Sequence, residues 1–148
     1  MSDQQFVNFA GQTDMVDANL AQLARTVAPS QPIRDYAQKL VTDQTDDFQA
    51  LSKIARQSRL HVPSAIDKDH DRTMIDPFQR VKGATFDRRF VREMIEEDTR
   101  AIEIYKKESA HAQTPALRSY AAEALPILRG DLSEAMKIEM TETATKKG

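Results

Sequence analysis

Residues 86–105 predict a long amphipathic α-helix that carries acidic groups on its buried face. Apolar side chains recur there every three or four positions, which places them on one helical stripe: Phe90, Met94, Ala101, Ile104 and Tyr105. Glu97 and Asp98 lie on the same stripe, where an apolar residue is expected. Because an unpaired buried carboxylate is costly, this placement implies a partner, a metal ion, a proton or an opening to water.

Two stretches that precede this helix show the same helical spacing. The first begins at a predicted capping box formed by Ser2 and Gln5 and ends before a proline. The second begins near residues 30–32, since proline is tolerated in a first turn. Each stretch carries a polar residue on its apolar face, Asp17 in the first and Gln44 in the second. We therefore expect both polar side chains to point inward.

Periodicity weakens over residues 59–82, where prolines and a charged run indicate a crossover with one or two short helices. The third long helix follows, with its N-cap predicted at Thr85. A fourth helix starts at Thr114 and Pro115, and its apolar stripe includes Asp131. All four long helices thus carry a polar residue near the middle.

Four long helices with short first and last connections predict an all-α, ferritin-like four-helix bundle, with the long crossover between helices 2 and 3. A chain of 148 residues fits a single domain. We expect its core over about residues 4–140 and a polar C-terminal tail at 141–148. Only 4 Gly among these residues favours such a helical protein over a disordered chain or a β-sandwich.

Charge and composition exclude several function classes. A formal net charge of −2 creates no field that would indicate nucleic-acid binding. The absence of cysteine excludes a thiol nucleophile and a thiolate metal site. No apolar run approaches the roughly 18 residues of a membrane span. No Ser, Thr or Lys stands in a nucleophile-elbow or phosphate-loop context, so the sequence favours a non-enzymatic role.

Several motifs resemble one bacterial family. The string GATFDRRF at 83–90, followed by VREMIEED and AIEIY, resembles the signature Phe-Asp-Arg-x-(Tyr/Phe)-Val-x-x-Met-Val-x-Asp-His-x-x-Ala of the domain of unknown function 4142 family. Residues 36–43 are similar to the family's second-helix motif, and 62–63 and 125–126 match its Leu-Pro landmarks. The correspondence runs over about residues 6–138.

This resemblance implies a ferritin-like fold and a small accessory or stress-related binding protein. It also implies export to the bacterial periplasm or outer-membrane region. Residues 1–10 have no basic start followed by an apolar segment, so we expect either a cytoplasmic protein or one whose leader was removed.

The departures from the family motifs define a candidate site. Family members commonly have histidine at the positions that hold Gln44, Asp98 and Asp131 here, and the family's first-helix Glu corresponds to Asp17. With Glu97 alongside, the resemblance leaves a set of oxygen ligands in place of imidazoles. Such ligands suit a divalent cation such as Mn, Mg or Ca better than Zn or Cu.

Three interpretations of this polar set remain open. The side chains can bond to one another and to nearby Thr or Arg residues and so hold the helix register. They can bind a hard cation, or carry strongly raised pKa values when no cation is bound. They can also point along the surface into water. The di-iron pattern needs Glu-x-x-His from two helices, and the sequence offers only Glu108 and His111.

Two functional alternatives accompany the binding-protein hypothesis. One is a metal-binding protein with the oxygen site described above. The other is a helix-mediated interaction module, such as a homodimer, because Ile95 and Ile102 lie off the main stripe of the third helix. We expect no nucleic-acid partner.

Overall fold

A computed structural model describes residues 1–147, with side chains described through residue 142. The helices are α1 (Asp3–Val27), α2 (Gln31–Gln57), the short α3 (Lys68–His70), α4 (Gly83–His111) and α5 (Pro115–Lys147). A π-helical turn at Asp71–Ile75 and a 3-10 turn at Asp76–Phe78 extend α3. No strand is present in residues 1–147. α5 continues to Lys147, through most of the stretch predicted as a polar tail.

The long helices pack as two hairpins, α1 against α2 and α4 against α5. The crossover between them contains short helical segments, as the sequence predicts. The predicted four-helix connectivity is therefore confirmed. In residues 1–147, none of the helices has the apolar length that a bilayer crossing requires.

Local signals set the helix starts. The Ser2 side chain accepts from the Gln5 backbone N at 3.1 Å, and the Gln5 side chain accepts from the Ser2 backbone N at 2.7 Å, which confirms the capping box. The N-cap predicted at Thr85 is wrong, since α4 begins at Gly83 with Lys82 as its N-cap. Gly83 has φ +60, a backbone conformation open to glycine, and so turns the chain into the helix two residues earlier.

Two apolar clusters fill the bundle, one toward each end. The first includes Leu20, Tyr36, Phe90 and other residues of all four long helices and the crossover. The second includes Phe6, Leu51 and other apolar residues of the four long helices. Between them, all four long helices present buried polar side chains.

Ile95 and Ile102 do not form an outer face. Ile102 is buried in the second cluster and Ile95 packs against the first, because the face of α4 that meets the bundle is wider than one stripe. The observation that motivated the homodimer hypothesis is therefore accounted for by the core.

Candidate functional site

A polar layer separates the two apolar clusters at mid-helix depth. Its members are Asp14 and Asp17 on α1, Gln44 and Asp47 on α2, Glu97 and Asp98 on α4, and Asp131 on α5. All except Asp47 are buried. The layer exists because each helix places a polar residue where its apolar stripe passes the same depth.

Three of the predicted ligands form the centre of this layer. Asp17, Asp98 and Asp131 are only 1%, 2% and 1% exposed and come from three different helices. In each carboxyl group one oxygen, Asp17 Oδ1, Asp98 Oδ2 and Asp131 Oδ2, has no hydrogen-bond partner among the described residues. The interpretation that these groups are simply wet is wrong, because the helix packing seals them from solvent.

Burial and mutual repulsion favour the protonated form of Asp17 and Asp98. Burial raises the pKa of Asp17 well above its usual range, and the charges of Glu97 and Asp98 add to this effect. Burial likewise raises the pKa of Asp98 to about 8, and the neighbouring charge of Asp131 contributes. The centre therefore holds protons at neutral pH.

Asp131 differs from Asp17 and Asp98 because a charged side chain of α2 contacts its carboxyl group. Lys39 Nζ lies 3.3 Å from Asp131 Oδ1 and 3.0 Å from a Glu134 oxygen. Burial raises the pKa of Asp131 to about 6, while the Lys39 ammonium opposes the shift. Tyr36 Oη donates to the Asp131 backbone oxygen at 3.4 Å. Sequence reasoning missed Lys39, which belongs to the exposed side of α2.

The remaining two predicted ligands lie at the margin of the centre. Glu97 is buried and forms an ion pair with Arg100 one turn further along α4. This contact matches the interpretation in which the polar set is held by an Arg. Gln44 is buried and lines a cavity together with Asp131. The inward orientation predicted for Gln44 is therefore correct.

A second polar group, which sequence reasoning did not identify as a unit, adjoins the centre. Tyr120 Oη donates to Asp47 Oδ2, and Tyr105 Oη lies 3.3 Å from Tyr120 Oη. Burial raises the pKa of Asp14 well above its usual range, and a hydrogen bond with Asp47 raises it further. Asp14 and Asp47 therefore lie close together, on α1 and α2. The available signal was the spacing of Asp14 three residues before Asp17, on one face of α1.

As they stand, the acidic groups do not converge on a point. In residues 1–142 no three His, Asp or Glu side chains are placed so that they could hold a metal ion. His61 and His111 are exposed, and His70 contacts Asp67 in the crossover. Glu108 is buried while His111 is exposed, so this pair forms no ligand set.

The family model described as "Domain of unknown function (DUF4142)" matches residues 1–138. The chain belongs to this family. The match covers α1, α2 and α4 in full and α5 as far as residue 138. The resemblance identified from the sequence motifs is therefore confirmed. No curated protein matches this DUF4142 sequence.

Two solved structures of CopM share the DUF4142 chain's fold. CopM in the Cu(II)-bound form is 16% identical with a TM-score of 0.78, and the match covers 95% of this chain and 97% of that one. CopM in the Ag-bound form is 17% identical with a TM-score of 0.73 and the same coverage. At this identity the likeness shows the fold alone, and it supports the ferritin-like helical bundle predicted from the sequence.

Proposed function

We propose that this DUF4142 protein is a non-enzymatic binding protein that holds a hard divalent cation inside the bundle. Asp17, Asp98 and Asp131 supply the ligands, with Gln44 and Glu97 in support. The cation class is Mn, Mg or Ca, because carboxylate and amide oxygens are the donors that these ions prefer.

One observation carries this proposal. Three helices each bury a carboxyl group at the same depth, and each group keeps an oxygen without a partner among the described residues. A buried polar atom left without a hydrogen bond destabilises the folded state by about 1–3 kcal/mol, and helix packing does not require such an atom. Three such atoms in one layer are the arrangement expected of a cation site without its ion, in which Asp17 and Asp98 bind protons instead.

CopM carries Cu(II) in one solved structure and Ag in the other, and the donor set here does not fit those ions. Copper and silver favour imidazole, thioether and thiolate donors. The residues at the layer's centre offer carboxyl and amide oxygens. The ligand of CopM is therefore not carried over to this chain, whereas a metal-binding role is.

Cation binding has to displace protons and turn side chains. No three acidic groups are placed to hold an ion in the described residues. Because ligands must be deprotonated, the affinity rises with pH and falls under acidic conditions.

Thermal melts with and without added ions test this proposal. Metal-free protein is melted at pH 8 with Mn²⁺, Mg²⁺, Ca²⁺ or Cu²⁺ over a range of concentrations. A hard cation at a hundredfold excess over its Kd should stabilise the fold by about 2.7 kcal/mol. Asp98→Asn should lose most of this shift, while Glu96→Gln, an exposed neighbour on α4, should keep it.

The opposite results remove the proposal. These are melts that no hard cation shifts, or a shift that Asp98→Asn and Glu96→Gln retain equally. A shift produced by Cu²⁺ alone would contradict the assignment of a hard cation to this site.

A further inference from the structure

A cavity of about 280 Å³ opens beside the polar layer, mainly between α2 and α5. Six of its lining residues are acidic, and no Lys or Arg is among the described residues that line it: Asp14, Asp43, Asp46, Asp47, Glu123 and Asp131. Phenol groups of Tyr105 and Tyr120 line it as well. The charge of this cavity selects a cation.

Two buried oxygens that line the cavity point independently to a ligand. Asp14 is 3% exposed, and its Oδ2 has no hydrogen-bond partner among the described residues. Asp131 Oδ2 also has no hydrogen-bond partner among the described residues, although Asp131 Oδ1 forms an ion pair with Lys39. These acceptors lie at different places along the cavity, that of Asp14 near Asp47 and that of Asp131 near Asp43. Each can receive a hydrogen bond from an occupant.

The arrangement suits an elongated cation better than a point charge. Asp43 and Asp47 are one helical turn apart, about 6 Å along the axis of α2. Tyr120 and Asp131 are separated by about 16 Å along α5. No three of these acidic groups are placed to hold a metal ion in the described residues. The cavity therefore offers carboxylate groups at separate positions along its length.

Apolar side chains also line the cavity. Ala50 of α2, Ala101 of α4, and Ala124, Ile127 and Leu128 of α5 expose aliphatic surface to it. Moving methylene groups from water into such surroundings is favourable. A hydrated metal ion gains nothing from these walls, whereas an aliphatic chain does.

We propose that this cavity binds a linear aliphatic polyamine, with two ammonium groups joined by a methylene chain. One ammonium lies between Asp14 and Asp47, where the Tyr120 hydroxyl already orients the Asp47 carboxylate. The other lies between Asp43 and the free oxygen of Asp131, and the methylene chain packs on Leu128 and Ile127. Aliphatic ammonium donors and carboxylate acceptors form charge-assisted hydrogen bonds, which are stronger than neutral ones.

This inference does not rest on the proposed cation site. Asp98, which is central to that site, does not line the cavity. Asp14, Asp43 and Asp47, which are central to the cavity, are not among the proposed metal ligands, whereas Gln44 and Asp131 belong to both sites. Each proposal can therefore fail while the other holds.

Titration calorimetry at pH 7.5 and low salt tests the inference with putrescine, spermidine and butylamine as probes. Putrescine and spermidine should bind saturably with one site, and butylamine, which has a single ammonium group, at least tenfold more weakly. Asp47→Asn should weaken diamine binding at least tenfold, and Glu96→Gln, at an exposed position on α4, should leave it within twofold. Asp43→Asn, at a half-buried position, gives a second variant should Asp47→Asn fold poorly in circular dichroism.

Several results would overturn the inference. The first is the absence of saturable heat with both putrescine and spermidine. The second is equal affinity for butylamine and putrescine, which would show that the second ammonium group contributes nothing to binding. The third is unchanged diamine affinity in a folded Asp47→Asn or Asp43→Asn protein.

Discussion

Tyr120 Oη donates a hydrogen bond to Asp47 Oδ2 and thereby links α5 to α2. The two hairpins α1–α2 and α4–α5 otherwise meet through apolar packing and a few polar contacts such as that of Lys39 with Asp131. The Asp47 carboxyl also lies close to that of Asp14, where it contributes to the raised pKa of Asp14. This contact joins the polar layer to the cavity beside it.

Tyr120→Phe should destabilise the fold by about 1–3 kcal/mol, because it leaves a carboxylate of the layer without its phenol donor. Urea unfolding at pH 7 measures the loss. Tyr36→Phe is the matched control, since Tyr36 donates only to a backbone oxygen at 3.4 Å. Its cost should stay under about 1 kcal/mol. Equal losses in the two variants would contradict the role assigned to Tyr120.

Asp98→Asn should change how stability depends on pH. The pKa of Asp98 is raised from 3.8 to about 8 in the folded protein, so the folded state binds a proton that the unfolded state has released between these values. The stability that this proton contributes is complete below about pH 4 and is lost as pH rises through about 8. In metal-free buffer the variant should match the wild type near pH 4 and exceed its free energy of unfolding by a few kcal/mol at pH 9. A constant difference across this range in urea titrations would contradict the assignment.

Gly11→Ala and Gly130→Ala form a matched pair inside long helices. A Cβ at Gly11 would lie 2.9 Å from Pro63 Cδ, a rigid ring atom of the crossover. We expect Gly11→Ala to destabilise the fold by about 1–3 kcal/mol as the crossover is pushed from α1. At Gly130 nothing lies within 4 Å of the added Cβ, and alanine there should stabilise α5 by about 0.5–1 kcal/mol. Thermal melts of both variants measure the two signs, and a stabilising Gly11→Ala would be the contradictory outcome.

Asp3→Ala should weaken the start of α5, although Asp3 belongs to α1. Asp3 Oδ2 accepts from the Thr114 backbone N at 2.8 Å and from Thr114 Oγ1 at 2.6 Å, and Oδ1 accepts from the Gln113 backbone N at 3.0 Å. These bonds act as an N-cap supplied by another helix, so their loss should cost about 1–2 kcal/mol. Asp35→Ala, at an exposed site on α2, should change the urea midpoint much less. Equal shifts would show that the cap contributes nothing.

The helix pattern and most of the centre could be predicted from the sequence, because both follow from helical periodicity. Asp17, Gln44 and Asp98 interrupt apolar stripes, and the structure buries all three. Asp14 was missed because five successive residues of α1, Ala10 to Asp14, are buried at once, which no single stripe predicts. The crossover buries one side of this segment, where the Gln12 side chain donates to the Ala65 backbone oxygen and accepts from the Asp67 backbone N, while Asp14 lies near Asp47 of α2. A loop that packs across a helix leaves no periodic signal in that helix.

Lys39 and the Thr85 error have similar physical causes. Lys39 is a half-exposed residue whose long side chain extends to Asp131 on another helix, and such a contact depends on how the hairpins dock. Thr85 is a good capping residue by type, yet the backbone freedom of Gly83 starts α4 earlier. The Lys39 contact therefore depends on how the hairpins pack, and the start of α4 depends on backbone conformation, neither of which residue type alone predicts.

The most direct test of the cation site is proton release on binding Mn²⁺, measured by titration calorimetry at pH 7 in two buffers of different ionisation enthalpy. The account predicts saturable binding with net release of protons, because Asp98 and Asp17 must ionise to become ligands. Asp98→Asn should bind more weakly and release fewer protons. Absence of binding, or binding without proton release that Asp98→Asn leaves unchanged, would contradict the account.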